Sequence, residues 1–255
     1  MRKVELSRWE DVPRRIDSAK RSLEIIYCVK LEVGLMDVPL ARLYPTEDFL
    51  ENDKLALVFK EVVTRGYDVP IIAVEREDDC FVLDGHHRAF VSKKLCRDFI
   101  KANVLKFPQG TSYRDILKMN IEDLPMKEVS KISDPIVKAW ERILLIMKHY
   151  EALYNIHFFL REKQVKLREL FPTQAQVMKK QIDAIREVLV PIVCVEHDGK
   201  YYVLDGHARS LRARQLGLES MSVMILSPNT PIDFGVVKTA REMDLNSLND
   251  IEIKE

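Results

Sequence analysis

Glycine is scarce in this chain, eight residues in 255, and none falls between Gly110 and Gly199. So long an interval without glycine disfavours tight turns there and reads as largely helical. Net charge is missing too, because 40 Lys and Arg balance 40 Asp and Glu. A neutral chain has no global electrostatic footprint for nucleic acid, which leaves only the option of a local basic patch. No window approaches the roughly 18 apolar residues of a membrane span, and MRKVELSRWEDVPRR lacks the apolar stretch of a signal peptide. The four cysteines, Cys28, Cys80, Cys96 and Cys194, show no CxxC spacing. Three of them sit in apolar or strand-like contexts, which points to buried free thiols in a reducing compartment rather than to a zinc site. A cytoplasmic protein with no membrane partner is the expectation.

What is present is written twice. FVLDGHHRAF at 81–90 returns as YVLDGHARSL at 202–211. VPIIAVE at 69–75 matches VPIVCVE at 190–196 at the same offset. Upstream, ARLYPTEDFL at 41–50 resembles LRELFPTQAQV at 167–177 at a wider offset, so the second copy is six residues shorter in between. Downstream, KKL and NVLKFP face RQL and SVMILSP. Even the leading segments, SRWEDVPRRIDSAKRSLEIIYCVK and SDPIVKAWERILLIMKHYEALY, agree as Trp-containing amphipathic helices. A unit of about 100 residues is too long for a solenoid repeat and points to a duplicated domain.

The fold class expected is mixed α/β, a tandem pair of units with small mixed sheets. The first unit spans 1–110, a helical bridge 111–160, and the second unit 161–255. Each unit starts with a helix and then a strand, at 31–36 and at 156–160. A YPT or FPT turn should open a helix, with Thr46 and Thr173 as N-caps. Hairpins follow, turning at Asp78-Asp79 and at Asp198-Gly199. DGHHRAFVSKKL and DGHARSLRARQL then leave the second hairpin strand as helices, and a last strand closes each unit. Trp140, Ile143, Leu144 and Met147, at helical spacing, read as a packing stripe. His149, His157 and His197 have no partner at metal-ligand spacing, and DLNSLNDIEIKE reads as a capping segment or tail.

A strand that delivers Asp-Gly into a His-x-Arg helix start is chemically loaded. The first helical turn leaves backbone N–H groups unpaired and carries partial positive charge, so it attracts anions. Gly85 and Gly206 let a ligand approach the backbone closely. Arg88 and Arg209 offer planar two-pronged contacts to phosphate. His86, His87 and His207 supply donors or proton-transfer groups. Asp84 and Asp205 make sense beside a phosphate as a magnesium ligand or base. Asp-Gly is also a common turn, but two copies with His and Arg at matching offsets exceed what turn chemistry requires.

These motifs resemble the ParB/sulfiredoxin superfamily, whose members carry a G-x-[HR]-R phosphate-binding helix start. The resemblance covers roughly 37–108 and, more weakly, 161–228. Within that superfamily the strongest likeness is to archaeal free serine kinases, which show a DGHHR run and a proline-turn glutamate. The resemblance implies phosphoryl transfer from ADP or ATP to a small hydroxyl-bearing substrate, with magnesium. It implies Glu47 as catalytic residue, with Asp84 and His87. It places nucleotide on Gly85, His86, His87 and Arg88, and makes Asp84 the magnesium ligand. In the second unit Gln174 stands for Glu47 and Ala208 for His87, which leaves Asp205, Gly206, His207 and Arg209 as a degenerate site. Sulfiredoxin needs a cysteine directly before its His-Arg pair, and that position holds His86 or His207 here. A ParB-like DNA-binding or nuclease protein is the alternative, as is a non-catalytic nucleotide-binding protein. Neutral charge and the absence of a Gly-containing turn between short helices at 111–165 argue against sequence-specific DNA.

Overall fold

The computed structural model describes residues 6–112, 118–129 and 134–255. The chain divides into two compact units, Met1–Glu141 and Arg142–Glu255. The first holds α1 (Val12–Tyr27), β1 (Glu32–Pro39), β2 (Leu43–Pro45), β3 (Leu50–Glu51), α2 (Asn52–Arg65) and β4 (Ile71–Arg76). It continues with β5 (Asp79–Asp84), α3 (His86–Lys94), β6 (Phe99–Lys106) and β7 (Met126–Lys127). Helix α4 (Pro135–Tyr154) begins in this unit and runs on into the second. There follow β8 (Phe158–Lys166), β9 (Leu170–Pro172), β10 (Gln176–Met178), α5 (Lys179–Asp183) and β11 (Ile192–His197). The chain ends with β12 (Lys200–Asp205), α6 (His207–Gln215), β13 (Ser220–Pro228), α7 (Gly235–Glu242) and β14 (Glu252–Lys254).

Each unit builds a five-stranded mixed sheet of the same design. The first has the order β1-β6-β4-β5-β2, the second β8-β13-β11-β12-β9. In both, the outer long strand and the hairpin are antiparallel, and the central pair and the short proline strand are parallel. Even the bulge recurs, between Ile72 and Ala73 and between Val193 and Cys194. The continuous apolar runs IIAV and IVCV suit these strands, because a central strand is buried on both faces. Ile72, Val74, Phe81 and Leu105 pack under Ile16, Ala19 and Leu23 of α1. Residues of opposite parity, such as Ile71, Ala73, Val82 and Val104, are buried as well. In the second unit Ile192, Cys194, Val203, Leu211, Val223 and Ile225 form the corresponding core with α6.

Several local expectations change. Thr46 and Thr173 do not cap helices, since α2 starts only at Asn52 and α5 only at Lys179. Each hydroxyl instead donates to the facing strand, Thr46 to the Val82 carbonyl and Thr173 to that of Val203, both at 2.6 Å. The first hairpin turns one residue earlier than expected, with Glu77 at positive φ. The strand expected at 31–36 runs to Pro39, and the one expected at 156–160 starts at Phe158 and runs to Lys166. Cys28 and Cys96 are exposed, and only Cys80 and Cys194 are buried.

The segment 121–127, expected within a helical bridge, is a short turn of 3-10 helix (Ile121–Asp123) followed by β7. Strand β7 pairs in parallel with β3, and Lys94, only 1% exposed, ion-pairs with Glu122 at 3.8 Å. The tail repeats this arrangement. Leu248–Asp250 forms the same turn, and β14 pairs in parallel with β10. Leu50 faces Met126 and Val177 faces Ile253, and the two pairs are set apart along the chain by the same interval as the two proline turns. DLNSLNDIEIKE is therefore an integral strand of the second unit. Of SYRDILKMNIEDL, residues 113–117 lie outside the described residues.

Candidate functional site

The corner between β5 and α3 carries the site in the first unit. Gly85 sits at φ 106, where a side chain would be strained, and an added Cβ would lie 2.5 Å from Ile71 Cγ2 and 2.7 Å from the Arg88 guanidinium. Glycine is required for this packing before any ligand is considered. Gly206 repeats the geometry at φ 101, with Ile192 Cγ2 at 2.5 Å. The first helical hydrogen bond runs from the Ala89 N–H to the Gly85 carbonyl at 3.0 Å. The N–H groups of His86, His87 and Arg88 precede that ladder, at the positive end of α3.

His86, 1% exposed, reaches back to the proline turn. Its Nε2 accepts from the backbone N–H of Thr46 at 3.0 Å and of Glu47 at 3.3 Å. An acceptor Nε2 puts the proton of the neutral ring on Nδ1. That nitrogen faces Glu47 Oε1 at 3.3 Å. The hydrogen bond from His86 holds the Glu47 carboxyl below its ordinary range, opposed by partial burial and helped by the Lys54 charge. Glu47 keeps half its side chain, 51%, open to solvent. The result is an ionised, oriented and accessible carboxylate.

His87 points elsewhere. Its Nε2 accepts the Glu51 N–H at 3.1 Å, just before α2. Burial, reinforced by the nearby Lys54 charge, pushes its pKa down to about 3, so the ring is neutral near pH 7. Lys54, in the first turn of α2, is the cation nearest in influence to both Glu47 and His87. Lysine at a helix start escapes motif reading, because nothing in YPTEDFLENDK ties it to DGHHR.

Arg88 is turned inward. Its Nη1 donates to the carbonyls of Val69 and Pro70 at 2.7 and 2.9 Å, and its Nη2 to Asp84 Oδ2 at 3.3 Å. Arg15, from α1, donates to that same Asp84 oxygen at 2.8 Å. The second unit repeats the lock. Arg209 holds the Val190 and Pro191 carbonyls and Asp205, at 3.2, 2.8 and 2.6 Å, and Arg142 reaches Asp205 Oδ1 at 2.9 Å. No motif in the leading helices marks Arg15 or Arg142. Their spacing along the chain equals that of the two proline turns, and this shared offset is the one signal the sequence carries for them.

The His–Thr contact also recurs, with His207 Nε2 accepting the Thr173 N–H at 3.1 Å. Burial lowers the His207 pKa to about 4. Around it the chemistry has gone, since Gln174, Gln181 and Ala208 stand where the first unit has Glu47, Lys54 and His87. Gln181 is used internally, accepting the Met178 N–H at 3.3 Å.

The structure thus brings Glu47, Gly85, His86 and His87 together around the start of α3, with Asp84 and Arg88 forming its support. Magnesium fits this donor set poorly. Asp84 Oδ2 is compensated by two guanidiniums, and no group of three His, Cys, Asp or Glu among the described residues could hold a metal. Cysteine chemistry is equally remote: burial raises the Cys80 thiol to about 11 and the Cys194 thiol further still. No helix of the described residues is long and apolar enough to cross a membrane.

No family model matches the chain. An uncharacterized protein of Methanocaldococcus jannaschii is 29% identical over 116 residues, 42% of this chain and 43% of that protein. The chain therefore spans less than half the length of this curated relative. Sulfiredoxin from Arabidopsis thaliana aligns at 20% identity with a TM-score of 0.25, over 29% of this chain and 85% of that one. Protein Atu1540 from Agrobacterium tumefaciens aligns at 15% identity with a TM-score of 0.26, over 37% of this chain and 62% of that one. At these scores neither likeness bears on what the site does.

Proposed function

We propose that the first unit is a nucleotide-dependent phosphotransferase of the free-serine-kinase type, moving a phosphoryl group from ADP or ATP to a small hydroxyl acceptor. The observation that carries this reading is the accessible Glu47 carboxylate, held ionised by buried His86 of the first turn of α3. The terminal phosphate of the nucleotide lies at the N–H groups of His86, His87 and Arg88, with the Lys54 ammonium as the accompanying cation. Glu47 takes the proton of the acceptor hydroxyl as its oxygen bonds to phosphorus and the bond to the leaving nucleotide breaks. His86 is the positioning residue, because its Nδ1–H fixes one carboxylate oxygen. Magnesium would be carried by the nucleotide's own phosphates. Arg88 supports the corner from beneath and does not touch the donor.

The inward Arg88 and the doubly paired Asp84 favour a second reading, a non-catalytic nucleotide-binding protein. A phosphotransfer screen with magnesium separates the two. ADP, ATP and CTP are paired with a panel of amino acids and polyols, and Glu47→Gln serves as the blank. Product in the wild type and none in the variant supports transfer. Nucleotide binding with no product from any pair supports the sensor.

A further inference from the structure

We propose that strand β1 is a self-association edge, pairing antiparallel with β1 of a second copy of this chain across a two-fold axis near Leu35. β1 ends its sheet and pairs only with β6, leaving a row of backbone donors and acceptors unmatched among the described residues. Its exposed centre is apolar: Val33, Leu35 and Met36 are 40%, 60% and 36% exposed, and the exposed charges Glu32 and Asp37 lie on either side of them.

The same edge of the second unit carries charge where β1 has glycine and apolar side chains. β8 ends its sheet in the same way, but the positions matching 34, 35 and 36 are Arg161, Glu162 and Lys163, all exposed. When a strand pairs with its own copy across a two-fold axis, the residue at the axis faces itself. Side chains opposite one another share a sheet face, so the register sum is even and one residue must sit there. Centring β8 on any of these three puts like charges face to face, Arg on Arg, Glu on Glu or Lys on Lys, which is destabilising. Centring β1 on its equivalents opposes only Gly34, Leu35 or Met36. One edge repels its copy at every such register and the other at none.

The register centred on Leu35 fits best. It sets Leu35 against Leu35, the most exposed apolar side chain of the strand, and Gly34 against Met36. Asp37 then faces Val33 and Glu32 faces Val38, so no like charges oppose. The pairing joins two five-stranded sheets into one continuous sheet.

Sedimentation equilibrium on the full chain tests this. The wild type is expected to show a concentration-dependent mass of twice the 29.7 kDa monomer. Leu35→Lys and Leu35→Glu should each raise the dissociation constant roughly a hundred-fold or more, because like charges then meet at the axis. An equimolar mixture of the two variants should dimerise again. Gly34→Lys should weaken the dimer by burying an ammonium against the opposing Met36, and it guards against misfolding, since a Cβ at Gly34 meets nothing within 4 Å. Circular dichroism checks each fold. A wild type that stays monomeric, or variants that remain dimeric, would overturn the proposal. So would a mixture that stays monomeric, because the axis then lies elsewhere. A monomer that instead captures an extended peptide along β1 would likewise replace it.

Discussion

The two units keep the same architecture and differ in the atoms that could react. In both, a histidine at the helix start accepts the N–H of a threonine after a proline, and an arginine ties that helix to two carbonyls and an aspartate. In both, an arginine from the leading helix closes on the same aspartate. What changes is Glu47 to Gln174, Lys54 to Gln181 and His87 to Ala208. The aspartate, glycine, first histidine and arginine of DGHxR are thus corner-forming residues first. Their presence in the second unit needs no ligand to explain it. The residues that set the units apart are the ones to credit with chemistry.

The missing second histidine has a structural answer. His87 accepts the Glu51 N–H at the head of a 14-residue helix. In the second unit the matching N–H, that of Met178, finds Gln181, and the helix it introduces has five residues. With the donor satisfied locally, Ala208 costs nothing there and packs against the core.

If Glu47 is what separates a working unit from a relic, Glu47→Gln should lower turnover about 100- to 10,000-fold, the usual worth of general-base help. Nucleotide affinity should stay near wild type, because the carboxylate handles the acceptor proton. Single-turnover phosphotransfer beside calorimetry distinguishes the two quantities. Nucleotide affinity that falls in step with turnover would place Glu47 on the donor and break the assignment.

Arg88 and Arg209 should behave alike despite that difference. Arg88→Ala leaves the Val69 and Pro70 carbonyls and Asp84 short of a buried donor, a loss of about 2–4 kcal/mol. Arg209→Ala should cost a similar amount, read by denaturant unfolding of each variant. A folded Arg88→Ala protein of unchanged stability that binds nucleotide poorly would turn the arginine back into a phosphate ligand.

Much of this was legible because the repeat acts as an internal comparison. Hairpin, glycine corner and following helix all stand out when VPIIAVE and VLDGHHR recur at one offset. The pairings β3 with β7 and β10 with β14 were not legible. Such short strands show no periodicity, and their partners lie far along the chain, beyond the whole hairpin and corner. Thr46 looks like a helix cap because a threonine after proline is also a helix-start signal; its partners, Val82 and His86, come from a distant strand and helix. Arg88 was legible as special but not as buried. A guanidinium serves two backbone carbonyls as readily as a phosphate, and only the fold decides between them.

His87 gives a smaller effect and a sign. Its pKa falls from an ordinary 6.5 to about 3 on folding, so the unfolded chain holds the extra proton between those values. Stability from this group is complete above about pH 6.5 and is lost as pH falls toward 3, by up to about 1.4 kcal/mol per pH unit. His87→Ala, which copies the second unit, should cost about 1–2 kcal/mol at pH 7 through the orphaned Glu51 N–H and flatten that acid slope. His207, lowered to about 4 by burial, should keep its own slope in the variant. Urea unfolding followed from pH 7 to 4 reads both. An unchanged slope in His87→Ala would mean that the ring is not buried neutral in the folded protein.

The smallest effect expected on activity belongs to Asp205→Asn. The change weakens an ion pair with Arg142 and a hydrogen bond with Arg209, so its cost should fall on the stability of the second unit. Turnover should change by no more than a few-fold. Asp84→Asn makes the same alteration in the first unit, but there it loosens the corner that aims Glu47 and the start of α3. It should therefore reduce turnover and nucleotide affinity together. The comparison is made at a temperature where circular dichroism shows both variants folded, so that stability does not enter the rate. An equal loss in Asp205→Asn and Asp84→Asn would show that the second corner takes part in the reaction, and that its glutamines and alanine are working residues and not what remains after loss.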